Sequence, residues 1–474
     1  MIRPSAAHQE FPSYANDPDI QLATRHAPVL CFDSNEPFLP EAVGITVFHE
    51  DGPSPSFSYP VRLPPGATTA IEYAIWWDWD IQHLYELEHI WLYLDAEERL
   101  VAADASWHGT WHPMHDEAGA LPLSENGHLR LHSEPGKHAF AANWADLAEN
   151  RPQTLLACSS KAGALGLHVN SFFEKRIRPL RTPDHIQLAH TWLEDHHFTP
   201  SFDFSRELGL SSLPLVPWPK LANWIPWRIN AWFIYLEGRY PRGRRRVLRI
   251  GHRGASALEP ENTLAAFSRA AELGCDMVEM DLRVTADHVP VILHDDSLRR
   301  TFGLSRPIRD LTWEEVRQQA PDLPSLEEAI ATCREGGLKL YLEIKFITPQ
   351  GGIRTLEILR ENDFLHRTVI ASFRVDWLAA LKRECPEVFT SVIFSFANVD
   401  AVSLAKAVGA EYVHPCWDYE PNNLELMTQE WIDRAHEAGL GVIGWVQQSR
   451  ESAKELREKG MHALTADDPN FLLE

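Results

Sequence analysis

Residues 247–284 read VLRIGHRGASALEPENTLAAFSRAAELGCDMVEMDLRV, which is an apolar strand-like run, a helical segment and a second apolar run. Six further strand-like runs follow and mostly alternate with helical segments: KLYLEIK, TVIASF, TSVIFSF, EYVHPCW, GVIGWV and HALTADDP. Such alternation is typical of a parallel sheet, and about 230 residues suit a closed (β/α)8 barrel. The run VPVILHD is interpreted as a hairpin partner of the second strand. Residues 247–474 are therefore predicted to form an α/β TIM barrel.

Polar residues cluster at the predicted strand ends. Glu279 and Asp281 are two residues apart, so on a strand both side chains point to one face. Convergent carboxylates suit a hard divalent cation, and Glu343 in YLEIK supplies a third. His252 and His294 lie in the same region. Because barrel active sites lie at the C-terminal strand ends, this set predicts a metal-assisted acid/base site.

The motifs HRG, PENT, ExD, HD and ExK, in this order and spacing, resemble the glycerophosphodiester phosphodiesterase family. The resemblance implies a role for each matching residue: acid/base catalysis by His252 and His294, metal binding by Glu279, Asp281 and Glu343, and substrate binding by Arg253, Asn262, Lys345 and Trp445. Asn262 is expected to close the site. The family usually has Thr after the matching Trp, where this chain has Val446.

The resemblance implies a metal-dependent hydrolase that uses Mg²⁺ or Ca²⁺ and releases glycerol 3-phosphate and an alcohol from glycerophosphodiesters. Two alternatives are a lysophospholipase D acting on membrane lysophospholipids and a non-catalytic lipid-binding barrel. The His294–Asp295 pair also occurs in metal-dependent HD hydrolases. Those proteins are helical, whereas the preceding VPVIL is β-branched and strand-like.

Bulk composition limits the partners and the compartment. A net charge of −23 argues against nucleic-acid binding, which requires a basic face. The six cysteines form no CxxC pair, and most lie in apolar contexts that favour buried free thiols and a reducing compartment. The N-terminal segment has no apolar signal-like region, and no apolar run approaches the ~20 residues of a membrane span. We expect a cytoplasmic protein, with peripheral membrane contact as a possibility.

Residues 1–210 have a different character and are predicted to form a β-rich accessory domain. Of the 23 histidines, 16 precede Arg246, as do 12 of the 17 tryptophans, which indicates aromatic packing around a polar site. The densest patch, IWWDWDIQHLYELEHIWLYLD, resembles a divergent segment of the necrosis-inducing-protein and vacuolar-sorting-related β-sandwich family. That resemblance implies a second metal site at His83, Glu86 and Glu88 and a role in lipid head-group or membrane binding. Alternatively, these are polar residues that alternate with core aromatics.

Residues 211–246 are predicted to link the two domains. Five prolines interrupt this segment, and its aromatic centre precedes a cluster of four arginines, Arg242, Arg244, Arg245 and Arg246. Tryptophan and arginine favour a membrane interface, so the segment can be interpreted as lying on a bilayer. The preferred interpretation is a linker helix packed between the two domains.

Overall fold

The computed structural model describes residues 11–116, 118–416 and 423–473. The chain divides into two compact units. The N-terminal unit contains Met1–Arg181 and Leu188–Arg239, and the barrel unit contains Thr182–Gln187 and Tyr240–Glu474. The N-terminal unit is thus longer than the predicted 1–210 domain and takes in most of the predicted linker.

The N-terminal unit is β-rich, as predicted. Its strands are β1 Val29–Phe32, β2 Ala42–Phe48, β3 Gly52–Pro53, β4 Pro60–Val61, β5 Thr69–Trp79, β6 His83–Leu94, β7 Leu100–Trp107, β8 Thr110–Pro113, β9 Arg130–Ser133, β10 Phe140–Ala141, β11 Gly166–Leu167, β12 Arg206–Gly209 and β13 Leu215–Pro217. A seven-stranded sheet runs β13-β2-β5-β6-β7-β8, with β11 paired to β6, and a four-stranded sheet runs β10-β9-β1-β12. Its largest fully buried side chains are aromatic, Trp76, Trp77, Trp79 and Trp91 among them.

The first six helices of the chain are α1 Pro18–His26, α2 Trp144–Ala148, α3 Arg151–Cys158, α4 Glu174–Ile177, α5 Pro183–Asp195 and α6 Trp218–Arg239. Helix α6 comes from the aromatic segment and counts with the N-terminal unit. Trp218 and Leu221 of α6 lie so close to Gly44 of β2 that a Cβ there would clash with the Trp218 ring at 2.8 Å. Most of its apolar side chains are buried, while Trp227 and Ile234 are exposed.

The barrel unit has eight parallel strands and one antiparallel addition, as predicted. These are β14 Leu248–Gly251, β15 Met277–Val284, β16 Pro290–Ile292, β17 Lys339–Ile344, β18 Thr368–Ser372, β19 Phe389–Phe394, β20 Tyr412–Pro415, β21 Gly441–Gly444 and β22 Ala463–Ala466. Strand β14 pairs with both β15 and β22, which closes the barrel. Strand β16 pairs antiparallel with β15, and this confirms that the run VPVILHD is a hairpin partner of the second barrel strand.

Helices follow most barrel strands: α7 Leu264–Glu272, α8 Arg299–Phe302, α9 Trp313–Gln319, α10 Leu326–Glu335, α11 Pro349–Glu361, α12 Val375–Glu384, α13 Ala401–Val408, α14 Asn423–Leu426, α15 Gln429–Glu437 and α16 Arg450–Glu458. Many begin at a Ser, Thr or Asp cap, as Thr263 does for α7 and Ser325 for α10. The strands are buried on both faces, so the core between sheet and helices is distinct from the barrel interior. All six cysteines are buried free thiols. In the part of the chain that the structure describes, no helix is both long and apolar enough to cross a bilayer.

Candidate active site at the C-terminal end of the barrel

Three carboxylates converge on the inner face of two neighbouring strands. Glu279 and Asp281 lie on β15, and Glu343 on β17 is the register partner of Asp281. Strand alternation turns all three side chains inward, and each is almost fully buried. One oxygen from each lies within 4.8 Å of the others. The three predicted metal ligands are therefore brought together.

Two cations border this carboxylate cluster. Lys345 Nζ lies 3.3 Å from Asp281 Oδ1 and also contacts Glu343. Arg253 Nε lies 3.2 Å from Asp281 Oδ2. Burial acts to raise the pKa of Asp281, but Lys345 and Arg253 outweigh burial and hold that pKa below its ordinary value. Burial and the neighbouring Asp281 instead raise the pKa of Glu279 to about 8.

The cluster fits a divalent cation. Among the described residues, Glu279 Oε1 and Glu343 Oε2 have no hydrogen-bond donor, although both atoms are buried. Buried carboxylate oxygens are normally paired with a donor or a metal. Hard oxygen ligands of this kind are those that Mg²⁺ and Ca²⁺ prefer.

His252 follows β14 and is oriented by a residue that the sequence analysis did not single out. Its Nδ1 lies 2.6 Å from Asp467 Oδ1, and its Nε2 lies 3.8 Å from Glu279 Oε2. Burial opposes protonation, but the Asp467 hydrogen bond and Glu279 raise the pKa of His252 above its ordinary value. Asp467 comes directly after β22 in the segment TADDP. The sequence feature that could have pointed to Asp467 was its position at the end of a predicted strand.

His294 follows β16 and has a carboxylate partner of its own. Its Nδ1 lies 2.8 Å from Oδ1 of the adjacent Asp295. Burial lowers the pKa of the imidazole. The hydrogen bond from Arg300 lowers the pKa of Asp295 to about 2, burial opposes this shift, and the hydrogen bond from His294 adds to it. Both histidines thus bond a carboxylate through Nδ1, which leaves each Nε2 available.

Arg253 of the HRG motif and Asn262 of the PENT motif hydrogen-bond the carboxylates of Glu279 and Asp281, and both have a strained backbone. Arg253 and Asn262 both have left-handed φ angles, 53° and 57°, which are uncommon for residues other than glycine. The Arg253 N–H donates to Glu279 Oε2 at 2.8 Å, and Asn262 Nδ2 donates to Asp281 Oδ2 at 2.7 Å. Asn262, predicted to close the site, is thus buried and bonded to a carboxylate.

Trp445 and a pocket form the remaining walls. The Trp445 ring, just after β21, lies 5.3 Å from the His252 ring in an edge-on arrangement. A cavity of about 500 Å³ opens beside His294 and Asn262, and its apolar lining includes Ile292, Leu293, Phe302, Leu323 and Pro324.

The residues of the second predicted metal site, His83, Glu86 and Glu88, lie on β6. His83 Nε2 lies 3.8 Å from both Asp80 Oδ1 and Glu86 Oε2, and these three residues could hold an ion. Glu88 instead accepts a hydrogen bond from Ser106. Asp80 was not predicted as a ligand. It is fully buried and lies 3.3 Å from Lys137 Nζ.

The barrel unit is similar in sequence to known proteins. The Glycerophosphoryl diester phosphodiesterase family model matches residues 252–471. A glycerophosphodiester phosphodiesterase from Caldanaerobacter subterraneus is 26% identical over 242 residues, which are 48% of this chain and 97% of that protein. Glycerophosphodiester phosphodiesterase 1 from Bos taurus is 32% identical over 164 residues, which are 32% of this chain and 50% of that protein.

Among solved structures, an Oleispira antarctica phosphodiesterase in complex with the product sn-glycerol-3-phosphate is 25% identical. The match covers 48% of this chain and 94% of that one, with a TM-score of 0.43. The fold and the family match together define a barrel hydrolase of phosphoric diesters. The barrel unit of this chain is similar to the glycerophosphoryl diester phosphodiesterase family over residues 252–471, and the chain is a phosphodiesterase enzyme.

Proposed function

We propose that this protein hydrolyses glycerophosphodiesters to glycerol 3-phosphate and a free alcohol with the help of Mg²⁺ or Ca²⁺. The observation that carries the proposal is the convergence of Glu279, Asp281 and Glu343 between two carboxylate-bonded histidines at one end of the barrel. The curated relatives named above as glycerophosphodiester phosphodiesterases support the choice of substrate. A non-catalytic lipid-binding barrel is set aside, because the chain is an enzyme and has both histidines and all three carboxylates.

Glu279, Asp281 and Glu343 would hold the cation. When bound, such an ion offsets the negative charge of a non-bridging phosphate oxygen. Formal charges favour this arrangement, because three carboxylates with Arg253 and Lys345 leave one net negative charge. A divalent ion would reverse that sign and match the single negative charge of a diester.

The two histidines serve as proton donor and acceptor at Nε2. Nδ1–H of His252 donates to Asp467, and Nδ1–H of His294 donates to Asp295. Each carboxylate fixes the ring and the tautomer, so Nε2 is the atom that exchanges a proton. One histidine removes a proton from the attacking oxygen, and the other protonates the departing alcohol. The attacking group is water or the neighbouring glycerol hydroxyl.

The direct test is release of glycerol 3-phosphate from a panel of glycerophosphodiesters, with and without chelator. We expect metal-dependent turnover of at least one diester. Its absence across the panel at saturating Mg²⁺ and Ca²⁺ would reject the proposal. Glu272→Gln is a matched control for carboxylate loss, since Glu272 is exposed and forms an ion pair with Arg269 on the same helix.

A lysophospholipase D reaction is the second candidate, and the apolar cavity beside His294 favours it. Arg300 lies at the edge of this cavity and forms ion pairs with Glu261 at 2.6 Å and with Asp295 at 2.7 Å, so the positive charge of Arg300 is offset. Phe302, Leu293 and Leu323 would then contact an acyl or alkyl chain. In a series of lysophospholipids, kcat/KM should rise with chain length, and Phe302→Asp should remove that dependence. If kcat/KM does not change with the length of the acyl or alkyl chain, the lysophospholipase D activity is rejected and only hydrolysis of soluble glycerophosphodiesters is left.

For the N-terminal unit, we propose an accessory role in binding lipid head groups or a membrane surface from the cytoplasm. In this proposal, Asp80, His83 and Glu86 bind a divalent cation, which takes the place of the Lys137 ammonium beside Asp80. Metal analysis of the full chain with Glu279→Gln isolates this second site, because the barrel ligand set is then broken. Loss of the residual metal in His83→Ala would support the proposal, whereas no residual metal would reject it.

A further inference from the structure

Neutral polar side chains line the barrel interior on the strands opposite the carboxylates. His414 lies on β20, Gln447 follows β21, and Thr465 lies on β22. Tyr412 and Ala463, two residues before His414 and Thr465, belong to the interior cluster. Strand alternation therefore points His414 and Thr465 inward as well. His414 and Thr465 are fully buried, and Gln447 is 4% exposed.

The hydrogen bonds of His414 fix its tautomer. The Tyr341 hydroxyl donates to Ser391 Oγ at 2.9 Å, and His414 Nδ1 lies 2.6 Å from the same hydroxyl. Because the hydroxyl proton is directed to Ser391, the proton between Tyr341 and His414 belongs to Nδ1. A neutral imidazole with Nδ1–H has a lone pair at Nε2. Burial, and to a lesser extent His252, lower the pKa of His414 to about 3, so the ring is neutral.

Three polar atoms in this group lack partners among the described residues. They are His414 Nε2, Gln447 Oε1 and Thr465 Oγ1. The amide nitrogen of Gln447 is already used, since it donates to the Trp445 carbonyl. Two of the three atoms can only accept hydrogen bonds, and the third can accept one. Buried acceptors without donors are rare in folded proteins and require an explanation.

This group continues the wall of the active site. The His414 ring lies 4.9 Å from the Trp445 ring, which in turn lies 5.3 Å from the His252 ring. Gln447 N–H donates to the Thr465 carbonyl at 2.7 Å, so these two residues are neighbours. The carboxylates and their cations lie on β15 and β17, whereas this neutral group lies on β20, β21 and β22.

We propose that His414, Gln447 and Thr465 form a subsite that accepts hydrogen bonds from hydroxyl groups of the glycerol moiety. This inference rests on the proposed function and deepens it. Phosphate oxygens carry no proton in a diester, so the Nε2 lone pair would repel them. A quaternary ammonium head group has no N–H to donate. The glycerol hydroxyl groups are the donors that all glycerophosphodiesters share, and a site that pairs them discriminates strongly against analogues without them.

The test compares glycerol 3-phosphate with n-propyl phosphate by calorimetric titration of the Mg²⁺-loaded full chain. The two anions share the phosphate, and only the first has hydroxyl groups. In the unmodified protein, glycerol 3-phosphate should bind ~10²-fold more tightly. His414→Phe should reduce this ratio to below ~5-fold and leave the affinity for propyl phosphate nearly unchanged.

Thr465→Val removes a hydroxyl at nearly constant volume and should lower the ratio of the two affinities by ~10-fold. This variant tests the same subsite if His414→Phe does not fold. His436→Phe is the matched control: this buried histidine lies on α15, outside the barrel interior, and should leave the ratio unchanged.

Two outcomes overturn the inference: equal affinity of the unmodified protein for the two anions, or an equal loss for both in His414→Phe and Thr465→Val. The second would mean that ordered water or packing, not substrate, satisfies these atoms. Failure of the proposed function is distinguishable, because the unmodified protein would then hydrolyse no glycerophosphodiester at all.

Discussion

Asp467 Oδ1 lies 2.6 Å from His252 Nδ1, although 215 positions separate the two residues in the sequence. The contact exists because β22 pairs with β14 where the barrel closes. Asp467 also accepts a hydrogen bond from Ser256 at 3.0 Å. His252 is therefore held by the exposed carboxylate of a residue that follows the last strand.

Asp467→Asn should lower kcat for glycerophosphodiester hydrolysis by ~10- to 10²-fold and change KM little, because an amide no longer enforces the Nδ1–H tautomer. Steady-state kinetics at several pH values measure both constants. Ser256→Ala is the control and should retain most activity. A tenfold rise in KM at constant kcat would instead mean that Asp467 contributes to substrate binding.

Replacement of a metal ligand should abolish turnover by loss of the cation. Glu279→Gln, Asp281→Asn and Glu343→Gln each remove one anionic oxygen from a hard-ion site. Each variant should lose bound metal in elemental analysis, and excess chelator should reproduce the loss of activity. Full activity after prolonged dialysis against chelator would contradict the assignment of these residues.

Removal of either histidine should leave the metal in place. His252→Ala and His294→Ala should each lower kcat by at least ~10²-fold, the usual scale for general acid–base groups. The double variant should lose less than the product of the two effects, since both rings serve one proton-transfer sequence. A His294→Ala enzyme with a nearly normal kcat would remove His294 from the mechanism.

Sequence patterns predicted what depends on local periodicity and strand ends. Alternation of strands and helices indicated the barrel, and the two-residue spacing of Glu279 and Asp281 placed both on one face. Contacts set by barrel closure or by loops were not predictable in this way. Asp467 reaches His252 only because β22 meets β14, and Asn262 reaches Asp281 through a left-handed turn. Asp80 joins His83 at the β5–β6 turn, which the motif comparison did not include.

Asp184 should stabilise the barrel unit, although it lies far from the barrel strands in sequence. Its carboxylate lies 2.5 Å from Arg242, 3.4 Å from Arg245 and 3.0 Å from His462. Burial opposes ionisation, but the hydrogen bond from His462 and the charges of His462 and the two arginines hold the pKa of Asp184 well below its ordinary value. Asp184→Asn should lower the free energy of unfolding by about 2 kcal/mol at pH 7.

This contribution has a defined pH dependence. A carboxylate with a depressed folded-state pKa stabilises the fold at pH values above its unfolded pKa of about 3.9, and the stabilisation is lost as pH falls below it. The difference in thermal midpoint between the unmodified chain and Asp184→Asn should therefore persist from pH 7 down to about pH 4 and shrink as the pH falls further. A difference that grows on acidification would contradict this account.

Helix α6 should depend on a buried ion pair for its place in the N-terminal unit. Arg228 Nε and Nη2 donate to the two oxygens of Asp78 on β5 at 2.8 and 2.6 Å, and both side chains are almost fully buried. Trp76 Nε1 donates to the same carboxylate at 3.1 Å. This arrangement favours a packed helix over the bilayer-bound segment considered from its composition, since membrane insertion of α6 would leave Asp78 buried without its partner.

Asp78→Asn should lower the free energy of unfolding of the N-terminal unit by about 3–5 kcal/mol, because it removes the negative charge from a buried, bidentate ion pair with Arg228. The double variant Asp78→Leu with Arg228→Met should recover much of that loss, since apolar replacements need no partner. Urea unfolding followed by tryptophan fluorescence reports on this unit, where most tryptophans lie. Glu98→Gln, which breaks an exposed pair with Arg25, is the control and should have no measurable effect. If the double variant is as unstable as Asp78→Asn, the loss comes from altered packing around Trp76 and not from loss of the ion pair.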